Sequence, residues 1–501
     1  MATLVAAATL PGFAQVDFLF PHGFAAGDPT ADGVVLWTHR DSPLEISAQV
    51  FADPGLTVPV FSATVTPGGE HGGFTTVAVR GLRPATRYFY RFLAGGIVPS
   101  QTASFLTAPA AEAPADLRLV FSGDADGTRV NGLPAYAFDL FDTMAAERPD
   151  LFLFIGDTMY ADSPRARRPA RTLAEYRAKY LESRSAPALQ RLLAVVPTVA
   201  IWDDHEVQND FDRETVDPDR FAAGYRAFTE AWPMVEQPGG RLYRTLRWGR
   251  DVELFILDLR SHRTRQLSKT SLCANPPGSR TPDVAPTLPS SLRSAFAVAA
   301  RTLSLPVPPG CLEALRDPQR TLLGPAQKAW LMDRLLRSDA TWKFIVSSVP
   351  VQEFGALPYD RWEGYAAERG EILSFIQRNH IRNIVWFSAD THAVLVNEIR
   401  SGTFTPAPEG TGMTEVVAGP IATASFGQEM AEVLGPVAPV AFAAFAVTPP
   451  PRGPGMSCVV IDRFTYALVE VSAGRRTVTI TPKDEDTRPV CRTPLILTAA
   501  P

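Results

Sequence analysis

Four short, almost wholly apolar runs constrain this chain more than any other feature: residues 117–121, 151–155, 198–202 and 384–387. None is long enough for a buried helix, so each reads as a strand covered on both faces. Each also runs directly into side chains that carry chemistry. The first continues as Ser122, Gly123, Asp124, Ala125 and Asp126, and the second as Gly156, Asp157, Thr158, Met159 and Tyr160. The third leads into Asp203, Asp204, His205 and Glu206, and the fourth into Ser388, Ala389, Asp390, Thr391 and His392. Open α/β folds bind ligands beyond the carboxyl ends of their strands, so four acidic tips predict one shared rim.

The rest of the chain supplies a frame for that rim. Between residues 16 and 109 the apolar runs are short and alternating (34–38, 46–51, 61–65, 75–79, 87–92) and are separated by Gly, Pro and Asp turns, which predicts a β-sandwich. Residues 81–90 resemble the tyrosine corner of fibronectin type III domains, with Tyr88 at the corner. After residue 110 the buried runs alternate with amphipathic stretches at 136–148, 173–189, 325–337 and 368–379, the pattern of strands with helices packed over them. The expected division is therefore an export-signal remnant at 1–15, a sandwich at 16–109 and a catalytic α/β domain at 110–501. Arg- and Pro-rich insertions at 163–171 and 275–309 are expected to project as loops near the site.

Composition removes several classes of function. A net charge of −5 over 501 residues, mixed in sign, gives no nucleic-acid or polyanion-binding surface. The uncharged stretch 433–450 is interrupted by Gly435, Pro436 and Pro439, so it reads as a loop or lid and not as a transmembrane segment. Cys273 and Cys311 flank one Pro-rich stretch and Cys458 and Cys491 flank the C-terminal β-rich stretch. Two local disulfides, and with them a secreted, periplasmic or cell-surface location, are the expectation, against an alternative of four buried thiols. No Cys-x-x-Cys pair or Cys/His cluster offers a zinc site.

An aspartate after a strand is ordinarily a turn residue or a helix cap. Several converging on one place are different, because they would repel one another and resist ionisation unless cations lay among them. Carboxylates with a minority of imidazole and phenolate make a hard site, suited to Fe(III), Mn, Mg or Ca. Such cations favour phosphate oxygens, and a close pair can hold a water for attack on phosphorus.

The same residues carry a resemblance. Gly156, Asp157 and Tyr160, then Trp202 to Glu206, then Asp390 and His392 follow the order seen in the PhoD family of metallophosphoesterases. Residues 22–29, 257–260, 323–327 and 362–365 are similar to that family as well, so the likeness spans nearly the whole chain. It implies a four-layer α-β-β-α core behind a fibronectin-like sandwich, hydrolysis of small phosphate monoesters or diesters, and a site holding Fe(III) with calcium. By position, Asp157 would bridge metals, Tyr160 and His392 would bind the iron, Asp204 and Asp390 would bind the partner ions, and His205 would act as general acid or phosphate-binding group.

One departure bears on the metal. Family members carry a cysteine after the first core strand, where this chain has none; Asp124 is the expected replacement ligand and Asp126 the second choice. An oxygen-rich sphere would accept Mn2+, Mg2+ or Ca2+ more readily than one with sulfur. After the run 344–346, Ser347 and Ser348 stand where broader relatives place a histidine, which argues against the protein-phosphatase branch. Arg260 could fork onto a phosphate or serve an ion pair, Asn209 and Asp210 could be ligands or loop caps, and Arg369 is similarly open. Two other functions remain in view: a phosphodiesterase of phospholipase D type, with a lipid substrate, and a secreted binding protein in which metals only brace the fold.

Overall fold

The computed structural model describes residues 19–298 and 300–500. The expected signal remnant at 1–15 lies outside the described residues. Two large sheets form the centre. One has nine strands, in the spatial order Leu495–Thr498, Thr477–Asp484, Thr465–Ser472, Leu117–Ser122, Leu151–Ile155, Thr198–Ile201, Phe24–Gly27, Gly33–His39 and Phe74–Arg80. The other has seven: Arg244–Trp248, Val252–Ile256, Trp342–Val346, Ile384–Ser388, Glu409–Val417, Val394–Ser401 and Cys458–Val460. Both have parallel centres and antiparallel margins.

Alternation along the strands explains the layering. In Leu151–Ile155 the residues Leu151, Leu153 and Ile155 face the second sheet, while Phe152 and Phe154 face a helical layer. The inter-sheet core joins these to Leu254, Phe344 and Phe387, with Phe121 stacked on Phe387 at 4.6 Å between ring centroids. Helices Leu140–Ala146, Leu173–Arg184, Pro187–Leu193 and Pro218–Ala231 cover the outer face of the first sheet. Helices Gly324–Arg337 and Ala366–Arg378 cover the outer face of the second. This is the expected α-β-β-α stack, and both faces of each central strand are dry, which is why their sequences are continuously apolar.

The N-terminal sandwich forms, with a twist in its connectivity. Strands Ile46–Phe51, Pro59–Val65, Arg87–Ala94, Val98–Pro99 and Ala103–Leu106 make one sheet. The strands opposing them, Phe24–Gly27, Gly33–His39 and Phe74–Arg80, extend the nine-stranded core sheet through a parallel pairing of Gly27 with Thr198. Gly27 is needed at that junction, since a Cβ there would collide with the Pro233 carbonyl oxygen. Tyr88 is the expected corner: its buried hydroxyl accepts a hydrogen bond from the Arg83 amide at 2.9 Å.

Both expected disulfides are present, Cys273 to Cys311 and Cys458 to Cys491, and no free cysteine occurs among the described residues. The stretch 433–450, expected as a loop or lid, is mostly helical. Phe426–Leu434 ends at Gly435 (φ +91°), and Ala438–Val447 begins with Pro439 in its first turn, where a missing N–H costs nothing. Its prolines and glycine mark a break between two helices of a hairpin, and the alanines between them favour helix. No helix among the described residues is long and apolar enough to cross a membrane.

Candidate metal centre

The four strand tips meet at the carboxyl ends of the parallel strands of the two packed sheets, and the chain turns sharply to bring them there. Asp124, Asp157, Asp390 and His392 all lie in the left-handed region, with φ of +66°, +49°, +64° and +52°. Asp and His tolerate that conformation better than most residues, and its clustering on four chemically active side chains marks a place where backbone strain is spent on geometry. Gly156, at φ +73°, precedes Asp157, and a Cβ on it would stand 2.7 Å from the Cβ of Asp203.

Ligand-capable atoms of three groups each lie within 4.8 Å of one another: Asp124, Asp157 and His392; Asp157, Asp204 and His205; Asp203, Asp204 and Asp390. Asp157 and Asp204 each belong to two groups, so the groups form one chain of donors. Tyr160 joins it, its hydroxyl 3.2 Å from His392 Nε2 and its ring stacked on His205 at 4.1 Å. All seven residues singled out from the sequence therefore come together.

Between the two candidates for the missing cysteine, hydrogen bonding separates the roles. Asp126 is spent, accepting from the Thr128 amide at 3.0 Å and the Ser163 hydroxyl at 2.5 Å. Asp124 accepts from the Asp390 amide at 3.2 Å through one oxygen, while its buried Oδ2 has no partner. An orphaned carboxylate oxygen in a buried place is costly unless a cation meets it.

Electrostatics point the same way. Burial, then Asp204, Glu206, Asp203 and Asp124, drive the Asp157 carboxyl well above the usual carboxylate range. Asp390 is raised well above that range by desolvation and by Asp203, Asp360 and Asp204. Desolvation pushes Asp124 up to about 7, and burial with Asp157 and Asp124 raises the Tyr160 phenol. His205 is pushed up to about 9: burial opposes its charge, but Asp204 and Asp162 outweigh it. Groups so disposed cannot all ionise beside one another without added positive charge, so the donor set fits hard cations.

One cation is built in. Arg260 is fully buried and forks onto Asp203 (2.7 Å to each oxygen) and onto Asp360 (2.8 Å to each), with Asp204 and Asp390 at 3.7 and 3.9 Å. Of its two readings from sequence, the structure takes the ion pair. Despite its burial, Asp360 is held well below the usual range by Arg260 and Arg263. Arg369 is buried away from the donors, bonded to the Val351 carbonyl at 2.6 Å and the Arg400 carbonyl at 2.7 Å. Asn209 Nδ2 donates to Asp210, the Asp210 amide donates to Asp204 Oδ2, and burial with Asp360 and Asp204 pushes the Asp210 carboxyl up to about 8, so Asp210 stands among the acids of the site.

Three residues of the site escaped the sequence reading, and a fourth, Asp203, was named at its strand tip without a role. Asp203 stands beside Asp204 in the same motif, and only the fold shows that both face inward. Asp162 accepts from His205 Nδ1 at 2.6 Å, and its position two residues after Tyr160 was the available signal. Asp360 and Glu429, the latter 2.9 Å from His392 Nδ1, come from segments with no apolar strand before them to mark them.

Comparison with known proteins agrees with this architecture. The model of the PhoD-like phosphatase family matches residues 128–479, and that of the PhoD-like phosphatase N-terminal domain matches 6–109. Alkaline phosphatase D of Bacillus subtilis (strain 168) is 28% identical over 431 residues, covering 76% of this chain and 66% of that protein, just under two thirds of its length. A solved structure of PhoD is 22% identical with a TM-score of 0.73, covering 98% of this chain and 90% of that one. Purple acid phosphatase PPD1 from yellow lupin seeds is 11% identical with a TM-score of 0.55, covering 95% of this chain and 73% of that one. At these identities the two structures speak to the fold alone.

Proposed function

Because this chain belongs to the PhoD-like phosphatase family, we propose that it is a phosphoric ester hydrolase that cleaves small phosphate esters with water, aided by metal ions held at the strand tips. The observation that carries the reading is the chain of donors itself, three groups within 4.8 Å linked through Asp157 and Asp204, with the buried Asp124 Oδ2 left unpartnered. Bound there, hard cations would supply positive charge for phosphoryl oxygens and lower the pKa of water from about 15.7 toward about 7.

The chain's own residues then divide the work. Asp157 would be shared between two cations, Asp124, Tyr160 and His392 would hold one of them, and Asp204 and Asp390 would hold its neighbours; their donor atoms lie close enough together for this. Fe(III) beside Ca2+ is the assignment for this set, since a phenolate suits Fe(III); the lack of a cysteine leaves room for Mn2+ or Mg2+. His205 directs Nε2 toward Asp157, 4.0 Å from its Oδ2, and keeps a proton available for the departing oxygen. Residues 110–501 carry the chemistry and 16–109 brace the sheet edge. The disulfides suit a protein that is secreted, periplasmic or at the cell surface.

A second substrate class is favoured by one feature: the hairpin carrying Glu429 exposes Val433, Leu434, Val437, Val440 and Val447, a surface that would suit an amphiphilic diester such as a phospholipid. Turnover of nitrophenyl phosphate, its bis-ester and phosphatidylcholine, each with elemental analysis of the protein, tests the whole reading. Loss of turnover in chelator and its return with added cation are expected. Full turnover by metal-free protein would sink the metal role, and no turnover of any ester by metal-loaded protein would favour a binding protein.

A further inference from the structure

His205 is held on two sides. The ring of Tyr160 lies against its face, 4.1 Å away and 24° from parallel, and fixes the plane of the imidazole. Asp162 holds its edge, with Oδ1 2.6 Å from Nδ1, so rotation within that plane is blocked as well. Nε2 is thereby left pointing at the site. A carboxylate on Nδ1 also dictates which nitrogen keeps its proton: Nδ1–H donates to Asp162 whether the ring is charged or neutral.

We propose that Asp162 is a positioning residue for proton donation, fixing the orientation and tautomer of His205 so that Nε2–H faces the leaving oxygen. This rests on the reading of His205 as the general acid. In the step it serves, water oxygen bonds to phosphorus and the ester P–O bond breaks with its electron pair on the leaving oxygen. The Nε2 proton moves to that oxygen, His205 is left neutral with Nδ1–H still on Asp162, and a proton from the attacking water returns the ring to its charged form.

A purely structural alternative has to be met, because Asp162 Oδ2 also accepts from the Asn209 amide at 2.6 Å and so staples the following loop. The backbone holds the region without it: the Ala161 amide donates to the His205 carbonyl at 2.8 Å, and the Ala170 amide to the Ala161 carbonyl at 2.7 Å. Loss of the side chain therefore leaves Ala161, next to Asp162, tied to both His205 and Ala170 through backbone bonds.

The experiment compares kcat on nitrophenyl phosphate, whose phenolate leaves unaided, with kcat on a simple alkyl phosphate, whose alkoxide needs the proton. In Asp162→Ala the ratio of the two should rise about 10- to 100-fold, the scale of groups that orient a catalytic imidazole or ligand. His205→Ala should raise it at least as much, and the double variant no further than His205→Ala alone. Asp162→Asn keeps an acceptor for the Asn209 amide but not the charge, and should show the same contrast, which serves if the alanine variant folds poorly. Equal losses on both substrates in the Asp162 variants, or metal lost from them by elemental analysis, would overturn the positioning role while leaving His205 as the acid. An unchanged ratio in His205→Ala would instead remove the general acid itself, and Asp162's role with it.

Discussion

Asp157 pays for its place twice, once in backbone strain at φ +49° and once in a burial that raises its carboxyl well above the usual range. Neither cost has a structural return that asparagine would not give; under the proposed function only the charge, which neighbouring cations would share, distinguishes the two. Asp157→Asn should therefore lower phosphatase turnover by at least about 100-fold, more than is common for supporting groups around a metal, and should reduce bound metal by elemental analysis. Wild-type turnover in that variant would refute the assignment. Gly419 tests Asp124 from the other side, because a Cβ there would collide with Asp124 Oδ2, the oxygen without a partner. Gly419→Ala should keep the fold yet lose metal, measured by titrating the stripped protein with Mn2+ or Ca2+; undiminished affinity would mean that Asp124 is not a ligand. At this scale the sequence was legible where the turn after an apolar run carries an acid, as at Asp124, Asp157, Asp204 and Asp390. It was not legible where the outcome depends on which oxygen is already occupied. Asp124 and Asp126 lie two positions apart with the same chemistry, and only Ser163 and Thr128, bonded to Asp126, divide them.

Among the elements, the central strands were readable because burial on both faces leaves a simple mark, whereas the hairpin at 426–447 was not, because its glycine and prolines signal a break without saying what lies on either side. Ring contacts tie that hairpin to its neighbours: Phe445 packs edge-on to Phe296 at 5.2 Å and stacks with Phe404 at 6.1 Å. Phe296 belongs to the short helix Ser290–Phe296 inside the insertion closed by Cys273 and Cys311. The disulfide, at a sequence separation of 38, therefore anchors a wall against that hairpin. Replacing both cysteines by serine should destabilise that wall by about 2–4 kcal/mol, since the unfolded loop is released from closure. Hydrogen exchange should show the effect confined to residues near the insertion and hairpin, with the central strands protected as before. Uniform loss of protection across both sheets would show that the insertion is integral to the core.

For the molecule as a whole, the four layers follow from buried strands alternating with amphipathic helices, but one junction could not have been read. Residues 16–109 alternate like a free-standing sandwich, and the parallel pairing of Gly27 with Thr198 joins segments far apart in sequence through backbone atoms, which leave no compositional trace. The sheet so extended terminates in a concentration of acids whose electrostatics bear on the stability of the entire fold. Without metal, desolvation pushes the Asp124 carboxyl up to about 7, and desolvation with neighbouring acids raises Asp157 and Asp390 well above the usual carboxylate range. A carboxyl with a raised native pKa binds its proton more tightly when folded, so its contribution is full below about pH 4 and is lost as pH climbs through about 7 and beyond. Asp204 and Asp360, lowered by Arg260 despite burial, run the other way, but their contribution fades only as pH falls below about 4. Between pH 4 and 8 the metal-free protein should therefore lose stability steadily. Cations remove that penalty, and they bind better as protons leave the ligands. The difference in Tm between metal-loaded and chelator-treated protein should accordingly be small near pH 5 and widen toward pH 8. A gap that stayed constant or narrowed over that range would mean that the carboxylates at the strand tips are not what the metal neutralises.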